Sequence, residues 1–307
     1  MRGTVRAASA VFLVLAGCDA APGQSSGRGA ERIDVDFDAD SAHALIAHQV
    51  AFGPRVPGTE GHAAQLAWMV ETLEGYADSV EVQRFTHAAL SGDSVGMANV
   101  IARFRPDARD RILLLAHWDT RPMADADPDT ARRDEPVPGA NDGGSGVAVL
   151  LEVARVLSSH SPPLGVDLLF TDGEDYGPGE MYLGAEYFAA NLPPGYRPLY
   201  GILIDLVGDR SPVFPVEEQS QFYAPEVVDL VYRKAEEIGM GAYFPRVPGP
   251  SISDDHIPLN RAGIHTIDII DFDFPQWHTT ADVPENTSPE GLEAVGEVLV
   301  QLILSGG

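Results

Sequence analysis

Apolar residues recur at helical spacing from Ser41 to Ala51 and again from Ala63 to Leu73, separated by a Pro/Gly-rich stretch, "FGPRVPGTEGH", from Phe52 to His62. Val80 to Phe85 alternates as a half-buried strand does, and Asn99 to Phe104 reads as a second strand. Ile112 to Ala116 is a continuous apolar run, the pattern of a strand covered on both faces. Beyond it helix and strand alternate. Helices are predicted over Gly144 to Leu157, Gly184 to Ala190, Pro225 to Ile238 and Pro289 to Leu304, and strands over Val166 to Thr171, Gly201 to Leu206 and Ile264 to Ile270. Repeated βα units of this kind predict an α/β fold, a three-layer α-β-α sandwich with a central mixed, mostly parallel sheet. No internal repeat is evident, so residues 37–307 are expected to form a single catalytic domain.

Composition adds a partner class to exclude and a location to expect. The chain has 307 residues, 44% of them hydrophobic, with a formal charge of −26, so phosphate would be repelled and nucleic acid is not an expected partner. A short basic start, Met1 to Arg6, precedes an apolar run from Ala7 to Ala16, which is too short to remain as a membrane span. The run ends in "LAGC", which resembles the lipobox of bacterial lipoproteins. On that reading residues 1–18 are a lipoprotein-type signal peptide and Cys18 is the lipidated residue. Residues 19–36 are then a flexible tether, Ser/Gly-rich from Gly23 to Arg32. The protein is expected to be exported and held by lipid on the cell envelope, facing the periplasm or the exterior. Cys18 is the one cysteine, so no intramolecular disulfide is available.

The chemistry lies in six short segments: His117 in "LLLAHWDT", Asp142 in "PGANDGGSGVA", Glu174 and Asp175 in "LLFTDGEDYG", Asp205 in "GILIDLVGD", Asp254 in "SISDDHIP" and His278 in "FPQWHTTAD". Imidazole and carboxylate are ligands that zinc accepts, and a catalytic zinc needs about three of them and an open position. His117, Glu174 and Asp205 fall just past predicted strand ends, where open α/β sheets place their ligand sites. Each residue also has a plainer role available. Asp142 could be a helix N-cap, and one of Asp254 and Asp255 could cap a short helix over His256 to Asn260. Adjacent Glu174 and Asp175 could be a solvated pair, but behind an apolar strand two like charges need a cation or a proton. One of them would then bind metal while its neighbour moves protons. Trp277 and Asp282 around His278 suggest an amphipathic pocket edge, and Asp119 is placed to orient His117.

With "FGPRVPGT", "HWDTRP", "NDGGSGVAVLLEVAR" and "LGAEYFA" also present, the chain from about Ala42 to Leu304 resembles the zinc aminopeptidase superfamily of co-catalytic metallopeptidases. "DDHIPLNRAGI", "WHT" and "LIDLVGD" with the Phe/Pro-rich Ser211 to Phe222 make it resemble one branch in particular, the glutaminyl cyclases (glutaminyl-peptide cyclotransferases). The resemblance implies one zinc held by Asp142, Asp175 and His278. It implies that Glu174 is the proton-shuttling acid, that Asp205 and Asp254 are its supporting hydrogen-bonded carboxylates, and that Trp277, Phe274 and Ile252 wall the substrate pocket. Many animal cyclases have Glu where Asp175 stands and a Trp in the following loop, whereas this chain runs "YGPGEMYLG".

The implied reaction converts the N-terminal Gln of a peptide or protein to pyroglutamate and releases ammonia. The substrate brings its own nucleophile, so geometry and oxyanion stabilisation are the main requirements. The alternative is a two-zinc aminopeptidase, with His117 and Asp205 holding the second metal, Glu174 activating a metal-bridging water and a free amino acid as the product.

Overall fold

The computed structural model describes residues 1, 3, 4, 33–35 and 37–307. Cys18 and nearly all of the expected leader and tether lie outside the described residues. The chain divides into two units, Met1–Glu31 and Arg32–Gly307, and every element below belongs to the second. In chain order these are α1 (Ala39–Val50), α2 (Glu60–Glu74), β1 (Ser79–Ala88), β2 (Ser94–Phe104), β3 (Arg111–His117), α3 (Gly144–Ser159), β4 (Gly165–Thr171), α4 (Leu183–Ala190), β5 (Gly201–Asp205), α5 (Glu218–Tyr223), α6 (Pro225–Glu237), α7 (His256–Arg261), β6 (Thr266–Ile270) and α8 (Pro289–Ser305). No helix among the described residues is long and apolar enough to cross a membrane.

Local chemistry accounts for the helix ends. Asp38 caps α1 by accepting from the Ser41 amide at 2.9 Å, and Thr59 caps α2 by accepting from the His62 amide. Pro225 and Pro289 open α6 and α8, where the missing N–H costs nothing, and Gly306 closes α8 with φ at +97°. Helix α5 begins within the Phe/Pro-rich stretch from Ser211 to Phe222, where the sequence predicts no helix. It has only six residues, and its cap is Glu217, whose carboxylate accepts from the Gln219 amide at 2.8 Å and the Ser220 amide at 2.5 Å. Neither its length nor its cap residue gives a sequence signal.

The six strands form one sheet in the order β1-β2-β4-β3-β5-β6. β1 and β2 are antiparallel, as are β2 and β4, while β4, β3, β5 and β6 run parallel to their neighbours. The sheet is therefore mixed and mostly parallel at its centre, as expected. Ile112, Leu114 and Ala116 of β3 join the large core beneath α1, α2, α3, α6 and α8, and Leu113 and Leu115 join a smaller one beneath α4 and α7. Full burial on both faces explains why Ile112 to Ala116 of β3 is a continuous apolar run; β4, equally buried, is interrupted by Asp167, which Arg111 pairs at 2.7 Å. Chain order reverses around β3, since α3 leads to β4 on one side and α4 leads past it to β5 on the other. That reversal opens a crevice at the carboxyl ends of β3 and β5.

Candidate metal and catalytic site

Every strand-end residue singled out from sequence reaches this crevice. His117 ends β3, Asp205 ends β5, and Glu174 and Asp175 follow β4. Asp142 precedes α3 and does not cap it. The cap position is Gly143, with no side-chain bond, and the Asp142–Gly143 peptide is cis. The Asp142 amide and that of Asn141 donate to Asp282, at 3.1 and 2.8 Å. Asp282, expected at the pocket edge, is instead buried beneath the Asp142 loop. Gly143 has to be glycine, because a Cβ there would overlap the His117 carbonyl and ring. Among the described residues, three of the four non-glycine residues at positive φ sit at this site: Tyr182, Leu206 and His278.

Two sets of ligand atoms converge: Asp142, Asp175 and His278, and His117, Asp142 and Asp205, in each case all within 4.8 Å of one another. In the first set His278 Nε2 lies 3.3 Å from Asp175 Oδ2 and 3.7 Å from Asp142 Oδ2. Bonds of about 2.1 Å to a tetrahedral ion put ligand atoms about 3.4 Å apart, so the spacing suits zinc. Asp175 Oδ2 is fully buried and has no hydrogen-bond partner, which is costly unless a cation sits against it. The residues therefore fit the metal. The second set is different. His117 Nε2 lies 3.1 Å from Asp142 Oδ1 and 3.2 Å from Asp205 Oδ1, and the contact with Asp205 has hydrogen-bond geometry.

Glu174 lies against this ligand cluster and is 7% exposed. Its burial, then the charge of Asp254, push its carboxyl well above the ordinary range, which makes it a stronger proton acceptor than a free carboxylate. Asp254 is raised in the same way by burial and by Asp205, and a buried like-charged pair of this kind retains protons. Asp175 is pushed up to about 6, chiefly by burial. His278 moves up because Asp175 and Asp142 outweigh its burial. The turn carrying Glu174 and Asp175 is clamped by Asp119, which accepts both backbone amides at 3.0 and 3.2 Å. Asp119 also faces His117, as expected: it stands 3.6 Å from that ring's Nδ1 and is the foremost of the carboxylates that raise the ring's affinity for protons.

The cavity above these groups has a volume of about 450 Å³ and is walled on one side by Ile252, Ile270, Phe272, Trp277 and Met181. Phe274 is not part of the wall. It is 3% exposed and packs behind the pocket with Leu206 and Ile270, while Phe272, two residues earlier, faces the opening at 5.1 Å from the Trp277 ring. The apolar alternation of "DFDFP" allows either aromatic inward, and the turn after β6 decides. Trp277 stacks on the His278 ring with centroids 3.6 Å apart, so it supports a ligand as well as lining the cavity. Met181 and Tyr182 line the cavity in the loop where animal cyclases carry a Trp, and the Tyr182 hydroxyl donates to the Ser253 carbonyl at 2.7 Å. Glu217 holds Ile252 of this wall in place by accepting from its amide at 2.9 Å. At the start of α7, Asp255 makes no capping bond; its carboxylate accepts from Thr171 on β4.

Sequence reading missed Arg121 and Asp125. Arg121 spans Asp175 and Asp125, and Asp125 lies 3.4 Å from His278 Nδ1. Their signal was present in "HWDTRPMAD", but only the fold brings that loop against the ligands.

The family model for peptidase family M28 matches residues 99–303. A glutaminyl cyclase of Bacteroides thetaiotaomicron, solved with N-acetylhistamine bound, is 39% identical with a TM-score of 0.85, covering 88% of this chain and 99% of that one. A Zn-dependent exopeptidase of Parabacteroides distasonis is also 39% identical with a TM-score of 0.85, covering 88% and 98%. Among curated proteins, the glutaminyl-peptide cyclotransferase of Bos taurus is 27% identical over 289 residues, covering 81% of this chain and 78% of its own.

Proposed function

The chain belongs to peptidase family M28, within its glutaminyl cyclase branch, and from that premise we propose that it cyclises the N-terminal Gln of peptides or proteins to pyroglutamate and releases ammonia. The observation that carries the reading is the match along the full length of the Bacteroides cyclase. The arrangement of the site supports it.

A single zinc would be held by Asp142, Asp175 and His278, the set that contains the unpartnered carboxylate oxygen. Bound there, it supplies Lewis acidity toward the side-chain carbonyl of the glutamine. Glu174 takes the proton from the substrate's α-amine and returns it to the departing ammonia, which suits a carboxyl whose affinity for protons is raised by burial and by Asp254. Asp254 keeps that affinity high, and Asp205 in turn raises Asp254. Trp277, Phe272 and Ile252 hold the short glutamine side chain near its own amine and exclude water, so ring closure competes well against hydrolysis.

Incubation with a Gln-terminated peptide tests this by mass spectrometry. Ammonia loss with the peptide otherwise intact is expected, whereas free glutamine and a shortened peptide would sink the reading. The second reading is a two-zinc aminopeptidase, favoured by the second ligand set at His117, Asp142 and Asp205. Zinc counted per purified chain separates them. We propose in addition that Cys18 carries a lipid holding the enzyme on the cell envelope, an idea resting on "LAGC" alone. Loss of membrane-fraction protein on Cys18→Ala is the expected result, and unchanged fractionation would remove it.

A further inference from the structure

Arg121 is 4% exposed and lies at the edge of the ligand cluster. One edge of its guanidinium, Nε and Nη2, grips Asp125 with two parallel bonds of 2.8 and 2.7 Å. Its remaining nitrogen, Nη1, donates to Asp175 Oδ1. The two oxygens of Asp175 are thereby given different tasks. Oδ1 is engaged by Arg121, while Oδ2 is buried, unpartnered and 3.3 Å from His278 Nε2. On the other side of that imidazole, Nδ1 lies 3.4 Å from Asp125 Oδ1. A single planar cation thus connects the carboxylate of one ligand with the carboxylate that faces the back of another.

We infer that Arg121 and Asp125 are a positioning pair for the metal: Arg121 reserves one oxygen of Asp175 so that only Oδ2 is offered to the cation, and Asp125 turns the Nε2 lone pair of His278 toward the same point. The inference rests on zinc at Asp142, Asp175 and His278, and it concerns how the site is held. Guanidinium suits the task because its fork fits a carboxylate with two bonds and leaves a third donor at a fixed angle. An ammonium has the same charge without that geometry. Partners that orient metal ligands in this way typically contribute about 10–100-fold to metal affinity.

A charge-only role for Arg121 predicts the opposite sign. A cation close to a zinc ion repels it, so if charge were all that mattered, removing Arg121 would tighten zinc binding and lysine would behave like arginine. Zinc affinity of the metal-free full chain, measured by chelator competition, decides between them. Arg121→Lys and Arg121→Ala are expected to weaken zinc by about 10–100-fold, with alanine at least as weak as lysine. Tighter binding in Arg121→Ala, with Arg121→Lys equal to the unaltered protein, would overturn the inference.

A second readout does not depend on turnover. In the cobalt(II)-loaded protein the visible absorption reports ligand number, and Arg121→Lys should lose intensity as the freed Oδ1 of Asp175 joins the ion. An unchanged spectrum in Arg121→Lys counts against the pair. If the Arg121 variants fail to fold, Asp125→Asn decides, since Asp125 lies at the cavity rim and its side chain is 37% exposed. Zinc weakened about tenfold supports the pair, and unchanged affinity rejects it. A protein that binds zinc with these sensitivities yet does not cyclise glutamine would refute the proposed function and leave the positioning pair standing.

Discussion

The two halves of the crevice use the same kinds of side chain and leave them in different states. On the side of Asp175 and His278, a buried oxygen lacks a partner while Arg121 occupies its twin. On the side of His117 and Asp205, the imidazole lies within hydrogen-bond distance of both Asp142 and Asp205. Donor identity alone therefore does not decide where a metal belongs. Where the facing ligand atoms already hydrogen-bond, as His117 Nε2 and Asp205 do, an ion gains less than where a buried carboxylate oxygen lacks a partner, because the ion there removes a desolvation cost. The difference favours a cation on the side of Asp175 and His278.

The comparison breaks most visibly at the ligands. His278→Ala should abolish stoichiometric zinc and lower turnover by about a thousandfold or more, since Lewis-acid stabilisation is worth several kcal/mol; metal analysis and ammonia release check it. Next comes Glu174→Gln, expected to lower kcat about 10²–10⁴-fold with zinc content unchanged, the loss of a proton carrier rather than of a ligand. Asp205→Asn tests the second half directly. With one zinc, metal content stays constant and activity falls about tenfold, a loss of the size seen when a supporting group is removed. Loss of half the zinc would move the protein to the two-metal reading.

A smaller effect concerns pH and the metal-free protein. Asp175 and Asp172 are pushed up to about 6, and Asp255 and Asp282 to about 7, each mainly by burial. At a pH between the ordinary carboxylate value and these raised values, the folded chain binds protons that the unfolded chain has released. Stability then falls as pH rises through that window. His117 and His278, also raised, act in the same direction. Melting temperature in the presence of chelator should increase as pH is lowered from about 8 to about 5, and a flat profile would mean these acids are compensated without metal. The smallest effect is expected from Phe272→Ala, a few-fold rise in KM with kcat nearly constant, because the ring lines the opening without touching the ligands.

Much of this was legible along the chain, for a physical reason in each case. Strand β3 announced itself because burial on both faces demands an unbroken apolar run, β4 stood out despite Asp167, and the strand-end positions of His117 and Glu174 followed from that. Helix α5 did not, being too short for periodicity and capped by a glutamate. Asp142, Asp175 and His278 were named as a set through family resemblance, and the fold brought their ligand atoms together.

By itself the sequence determined the layer order, the strand ends and the chemical types available at them, because those depend on local periodicity and on which residues turn the chain. Tertiary structure decided everything that depends on which loop meets which. It turned Phe272 toward the cavity and left Phe274 behind, set Asp119 between His117 and the Glu174 turn, and drew Arg121 between Asp175 and Asp125. Those outcomes turn on side-chain directions and separations of a few ångströms between segments distant in the chain, which no pattern along the chain encodes.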